Sequence, residues 1–295
     1  MGVSLLRISR CLLLMSCCAT ALGVGLATRM AAAQVPIAAV PAAVADPAIV
    51  AASESLIGKA LFLRGFYTTN DLKYDSAGRV QGAPKAGDWT LAAVNVLKLT
   101  FRPSEVQLDG VRVAIRYNTE QRQFERHPLN DEKMKIVVPV GGGPKGFEAA
   151  VAAIFSFGID PALQRSTPDY WQHYFNPALE WPSDSLAGVV VYPTYGLPNQ
   201  AKDVVPARME HHVDAKFTIF AEHDRVKGPV LLRMVVDAEG VPHRLSVAQP
   251  LGYGLEARAV EAMAKSRFTP GTREGKPVAT GLVVSQDFEY VTPPR

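Results

Sequence analysis

The sequence predicts an α+β protein of two domains behind an export leader. Three observations predict it. A chain of 295 residues has room for about two domains of ordinary size. Its first half reads as short strands separated by turns and closed by one helix. Its last quarter reads strand, strand, helix, strand. The composition, 48% apolar and 20% charged, is that of an ordinary globular protein. It excludes a collagen, a disordered tail protein and a polytopic membrane protein.

Residues 1–33 carry Arg7, Arg10 and Arg29 and no acid, so they supply the whole net charge of +3, and the chain from residue 34 onward sums to zero. The basic pI near 8.7 therefore reflects the leader and points to no nucleic-acid patch. Arg7 and Arg10 precede an uncharged run, Cys11 to Thr28, and Ala31-Ala32-Ala33 follows Arg29. A positive flank, an apolar core and small residues before Gln34 predict a signal peptide over residues 1–33, cleaved after Ala33. Two alternatives stay open. As a helix the uncharged run would span roughly 27 Å, near the thickness of a bilayer core, and would serve as an uncleaved inner-membrane anchor. Leu14-Met15-Ser16-Cys17 also resembles a lipoprotein box, with Cys17 as the lipidated residue. All three predict a protein outside the cytoplasm, periplasmic or secreted in the cleaved case. Cys11, Cys17 and Cys18 are the only cysteines. A chain beginning at Gln34 would have neither disulfides nor thiolate chemistry.

Residues 34–53, rich in Ala, Val and Pro, read as a linker. The β-rich N-terminal domain is placed at 54–160. Lys59 to Tyr67 reads as a strand, and Leu72 to Val80 as strand, turn, strand around Gly78. Trp89 to Phe101 alternates in part, with Leu91, Ala93, Leu97 and Leu99 on one parity. Val106 and Leu108 lead to Asp109-Gly110, a two-residue hairpin signal, and Val111, Val113, Ile115 and Tyr117 alternate on the return. Met134 to Val140 is another apolar strand. Gly146 to Phe157 carries Phe147, Val151, Ile154 and Phe155 at helical spacing. Residues 161–205 read as a packed connector, because they are dense in aromatics such as Trp171, Tyr174, Phe175, Trp181 and Tyr195. Val189 to Tyr192 is its one strand.

The last domain is placed at 206–295. Val230 to Val236 is a strand, Asp237-Ala238-Glu239-Gly240 a turn, and His243 to Ala248 the return. Leu255 to Arg267 is a helix whose stripe is Leu255, Ala259, Val260 and Met263. Glu256 sits in its first turn and Pro270 lies just beyond its end. After the turn Gly275-Lys276-Pro277, the last strand, Val278 to Val291, carries Leu282, Val284 and Phe288 on one parity.

Gly228-Pro229-Val230, Val235-Val236-Asp237-Ala238-Glu239-Gly240, Leu255–Lys265, Arg267-Phe268-Thr269-Pro270 and Gly275-Lys276-Pro277-Val278 occur in this order. Together they resemble the TonB C-terminal domain family, over residues about 206–291. Gly58-Lys59, Leu63-Arg64-Gly65-Phe66-Tyr67 and Pro168-Asp169-Tyr170-Trp171-Gln172 are similar to an uncharacterised N-terminal region found before such domains in some bacterial envelope proteins. The resemblance implies a three-stranded antiparallel sheet with a helix on one face, in the order ββαβ. It also implies work by protein–protein contact in the periplasm, with a short peptide of an outer-membrane transporter added to the edge of the last strand. The expected contact residues are Leu282, Val283, Val284, Ser285, Gln286 and Asp287. Val283, Ser285, Asp287 and Glu289 face outward, and Leu282, Val284 and Phe288 face the helix. Energised members of the family keep a His in an N-terminal anchor and a long Pro-rich spacer. Residues 11–28 hold no His, residues 34–53 are short, and Val205-Pro206 stands where the family has an aromatic-Pro pair. The alternative is a stand-alone envelope scaffold, or a glycan- or protein-binding module, with no energy transduction.

No reactive motif emerges, and the expected protein is not an enzyme. It takes no cofactor, no metal, no nucleic acid and no small-molecule substrate. His211-His212 with Glu210, Asp214, His223 and Asp224 is the most metal-like cluster, but adjacent residues of an extended chain point to opposite faces, so it reads as a solvated loop. Gly141-Gly142-Gly143-Pro144-Lys145-Gly146 lacks the Gly-Lys-Ser/Thr ending of a phosphate loop and reads as a strand-to-helix turn. Trp171, Tyr174 and Phe175 read as core or interface rather than as a platform for sugar rings.

Overall fold

The structure, a computed structural model, describes residues 46–182 and 184–290. The leader with its cleavage site and Cys17, and most of the expected linker, lie outside the described residues. No helix among the described residues is long and apolar enough to cross a membrane.

The first helix, α1 (Pro47–Glu54), falls within the stretch read as linker. The Asp46 carboxylate accepts from the Ala48 amide at 2.9 Å, and Pro47 occupies the first turn, where its missing N–H costs nothing. Five strands follow: β1 (Leu61–Leu63), β2 (Asp71–Lys73), β3 (Ala93–Phe101), β4 (Glu105–Asn118) and β5 (Gln123–Pro139). Helix α2 (Gly143–Ile154) leads to β6 (Phe155–Phe157). The six form one sheet in the order β2-β5-β4-β3-β1-β6, antiparallel except for β2 beside β5. The helix expected at Gly146 to Phe157 thus begins and ends three residues earlier, and its last residues turn into an edge strand.

Asp109-Gly110 is not a hairpin. Strand β4 runs straight through it, with Gly110 between Val96 on β3 and Met134 on β5. The glycine is required for close approach: a Cβ there would overlap the Asn95 carbonyl oxygen beside the β3 bulge. That bulge breaks the expected parity and leaves Leu97 exposed.

One face of the sheet carries Val94, Val96, Val106, Leu108, Ile136 and Val138 against Phe147 and Ile154 of α2 and Ile49 of α1. On the same strand β4, Val113 and Ile115 have the opposite parity and join a second core with Phe62 and Trp89. Between them Arg112 is fully buried and, among the described residues, forms no ion pair. Its guanidinium donates to the carbonyls of Tyr67 (3.0 Å) and Leu91 (2.6 Å) and to Asn70 Oδ1 (2.9 Å), tying down the chain between β1 and β2. Burial lowers its pKa to about 10.

The connector holds α3 (Pro161–Arg165), α4 (Asp169–Phe175) and β7 (Tyr192–Pro193). The strand expected at Val189 to Tyr192 is only its last residue plus Pro193. Then come β8 (Val204–Val205), β9 (Arg208–His211), α5 (Ile219–His223), β10 (Gly228–Val236), β11 (Pro242–Gln249), α6 (Leu255–Lys265), β12 (Arg267–Thr269), β13 (Gly271–Arg273), β14 (Lys276–Val278) and β15 (Thr280–Phe288). Strands β11, β10 and β15 form the antiparallel sheet, and helix α6 packs on β10 and β11. The parallel strand β7 makes this sheet four-stranded, in the order β11-β10-β15-β7.

This sheet shares the second core with the first. Trp89, Val113, Ile115 and Trp171 belong to the same buried cluster as Leu232, Met234, Tyr253, Leu255, Met263 and Phe268. Trp171 is fully buried, 5.1 Å from Trp89 and stacked on Phe175 at 5.9 Å, so it offers no open face to a ligand. The chain before α6 also pairs with β4. Tyr253 N donates to Ile115 O at 2.9 Å, and Tyr117 N donates to Leu251 O at 3.0 Å. Gly252, at φ +98°, lies against the β4 backbone where a Cβ would overlap the Ile115 carbonyl.

Candidate functional site

The site is built on β15. Its even residues Leu282, Gln286 and Phe288 are buried and Val284 is half-buried, while Ser285 and Asp287 are exposed and Val283 is half-buried. The backbone divides the same way. One set of groups pairs with β10 over nine residues, from Thr280↔Val236 to Phe288↔Gly228, and the odd-numbered set points outward.

The outward edge is covered over its first half. Tyr192 N donates to Ala279 O at 3.0 Å, Thr194 N and Oγ1 both donate to Gly281 O at 2.8 Å, and Val283 N donates to Tyr195 O at 2.9 Å. The connector then turns away at Gly196. The carbonyl of Val283 and both backbone groups of Ser285 and Asp287 point outward with no partner among the described residues. Beside this open stretch lies a groove of about 380 Å³. Tyr195, Pro206, Ala207, Met209 and Phe268 line it together with Leu282 to Ser285 of β15. Unpaired strand backbone beside an apolar channel is the geometry that accepts an additional extended strand.

The six expected contact residues do not act alike. Val283, Ser285 and Asp287 are edge residues. Val283 has already committed its N–H to Tyr195, so Ser285 is the first open donor. Leu282, Val284 and Gln286 turn their backbone groups to β10, and the Gln286 side chain is buried. The Ser285 hydroxyl donates to the Asp287 carboxylate at 2.8 Å. Sequence reasoning missed both the cover, Tyr192 to Tyr195, and the groove wall, Pro206 with Met209. The apolar run ending at Tyr192 was the available signal for the cover. The wall has none, since it exists only because β9 pairs with β12.

The histidines are dispersed. His211 pairs with Arg267 across β9 and β12, His212 Nε2 lies 3.2 Å from Asp214, and His223 Nδ1 lies 2.8 Å from Asp224 on α5. No three His, Cys, Asp or Glu among the described residues are placed to hold a metal. Gly142 is the N-cap of α2.

Two buried carboxyls meet where the sheets join. Asp88 accepts from Thr90 N (2.9 Å), Thr90 Oγ1 (2.7 Å) and Trp171 Nε1 (3.0 Å), and the Thr90 hydroxyl in turn accepts from Gly254 N at 2.7 Å. Glu256 Oε1 accepts from the Leu251 and Gly252 amides at 2.6 Å each, and its Oε2 has no partner. Burial first, and then the charge of Asp88, pushes the Glu256 carboxyl up to about 7. Burial raises Asp88 as well, against the pull of its ring of donors, so the two carboxyls titrate as a pair.

Residues 216–290 match the family model of the Gram-negative bacterial TonB protein C-terminal domain. The solution NMR structure of the Pseudomonas aeruginosa TonB C-terminal domain is similar, at 21% identity over 32% of this chain and 95% of that chain, with a TM-score of 0.24. No curated protein matches the chain.

Proposed function

From residues 216–290, which belong to the TonB C-terminal domain family, we propose an exported, non-enzymatic protein that captures an extended peptide of an outer-membrane transporter on the edge of β15. A domain of this family is a protein-interaction domain of the cell envelope rather than an enzyme. The observation that carries the reading is the open stretch from the Val283 carbonyl to Asp287, lying beside a groove of about 380 Å³ with apolar lining. Main-chain pairing supplies the affinity, at roughly 0.5–1.5 kcal/mol net per hydrogen bond. The groove selects an apolar side chain on one face of the peptide.

The test is a titration with a synthetic transporter-derived periplasmic peptide, followed by NMR amide shifts. Shifts are expected at Val284 to Asp287. Ser285→Pro, which removes the first open donor, abolishes them, while Ser285→Ala changes affinity little. A native circular-dichroism spectrum of the Pro variant separates lost binding from lost fold. If saturating peptide moves no amide between Thr280 and Tyr290, strand addition is wrong. The second reading, a stand-alone scaffold, then takes its place. It is favoured by the strand β7, which closes half of the same edge.

A further inference from the structure

We propose that the connector segment Tyr192 to Tyr195 is an intramolecular occupant of the peptide edge, so that full-length strand addition to β15 requires its release. The inference rests on the reading of β15 as the docking edge and adds its regulation.

The segment lies in line with the open slot. It satisfies the outward groups of Ala279, Gly281 and Val283, and the groups of Ser285 and Asp287 continue the same edge beyond it. An added strand can pair with the second half alone, or with the whole edge once the connector has left. The connector is held lightly for a strand in a sheet. Its ladder is two residues long, and beyond that ladder its attachment to β15 is made by the Tyr192, Thr194 and Val283 amides and the Thr194 hydroxyl. It is bounded by Gly188 and Gly196, both at φ +77°; its last residue Tyr195 is 70% exposed and Val190 just before it 66%, while Thr194 is buried. Short ladders with few buried contacts open at lower free energy than core strands. The segment has a second anchorage away from β15. Arg273 donates to the Tyr192 hydroxyl at 2.9 Å, its guanidinium lies 5.1 Å from the ring centroid, and its other contact is Asp203 at 2.7 Å. The outer edge of the connector is blunted. Pro193 has no N–H to present, and its carbonyl accepts from Ala201 at 2.8 Å. A peptide therefore gains by replacing β7 and gains nothing by pairing outside it.

The experiment uses the full chain in two arms. In hydrogen exchange, the Val283 amide, bonded to the connector, is expected to exchange at least about tenfold faster than the Leu282 and Val284 amides, bonded to β10. Equal rates make β7 a permanent strand and overturn the inference. In the second arm, the synthetic transporter-derived periplasmic peptide is titrated into the wild type, Thr194→Pro and Tyr192→Ala. Thr194→Pro removes both donors to Gly281 O and is expected to tighten binding about tenfold or more, since the competing occupant no longer lowers the competent fraction. The shifted amides then extend from Val284–Asp287 back to Thr280. Tyr192→Ala acts in the same direction by loosening the Arg273 anchorage, and it carries the comparison if Thr194→Pro does not fold. Wild-type binding with unchanged or weaker binding by the variants overturns the inference and leaves the docking edge standing. A peptide that moves no β15 amide in any of the three proteins overturns both.

Discussion

Glu256 is a buried carboxyl held well above its ordinary range. A carboxyl that titrates near 7 in the folded chain and at its ordinary value, near 4.5, when unfolded binds more protons in the folded state between those limits. Its contribution is therefore fully present below about pH 4.5 and is lost as pH rises through about 7. Glu256→Gln keeps an oxygen for the Leu251 and Gly252 amides and cannot ionise. The variant is expected to be more stable than the wild type at pH 8, with the difference shrinking toward pH 5. Urea midpoints of the two proteins across that range check it, and a difference that does not vary with pH refutes it. Asp88 is the other carboxyl of the pair and stays in place in the variant, which is compared with its wild-type background.

At the scale of elements, α4 joins the connector to both sheets. It lies against β11 and brings Trp171 to the Asp88 carboxylate and to the Trp89 ring. Truncating a fully buried indole leaves a large cavity, and Trp171→Ala is expected to cost about 3–5 kcal/mol. It also strands Asp88 without one of its donors. Chemical denaturation followed by circular dichroism measures the loss, and a cost under about 1 kcal/mol would mean that the aromatic cluster reorganises freely.

The elements also divide by how far they could be read in advance. Strands β10, β11 and β15 and helix α6 were legible because each is amphipathic on its own, with Leu282 and Phe288 on one parity and Leu255, Ala259 and Met263 on one stripe. Asp109-Gly110 misled because its glycine answers a close approach of the Asn95 carbonyl on β3, a demand that no local pattern records. Strand β7 was legible only in part, as a strand ending at Tyr192 whose place beside β15 was not. The apolar run Val189 to Tyr192 signalled a strand, but the paired residues are Tyr192 and Pro193, fixed by lying beside Thr280 and Gly281. The open edge proposed for docking was thus half readable. Side-chain alternation told which residues of β15 face outward, but nothing local told which outward backbone groups the rest of the chain had already taken.

At the scale of the molecule, the described residues all fall within one compact unit. The second core includes Trp89 and Val113 from the first sheet and Leu232 and Met263 from the second. Neither sheet can lose its structure without exposing the other, so one unfolding transition is expected. All three tryptophans, Trp89, Trp171 and Trp181, precede β10. Their fluorescence reports the first sheet and the connector, and amide exchange at Val230 to Val236 reports the second. Coincident denaturation midpoints are expected from the two probes. Midpoints that separate would show two independently stable domains.

The shared core also constrains how this chain can change over generations. A family module with its own closed surface can be cut from one gene and spliced into another with little consequence. Here a transplanted module would have to arrive with the complement of Ile115 and Thr90 already in place: a residue as small as Gly252 against the β4 backbone, and an amide at position 254 for the Thr90 hydroxyl. Substitutions at the seam are tied to partners more than a hundred positions away in the gene. A C-terminal half taken from a relative is expected to fold on this N-terminal half only where it keeps a glycine against the β4 backbone at position 252.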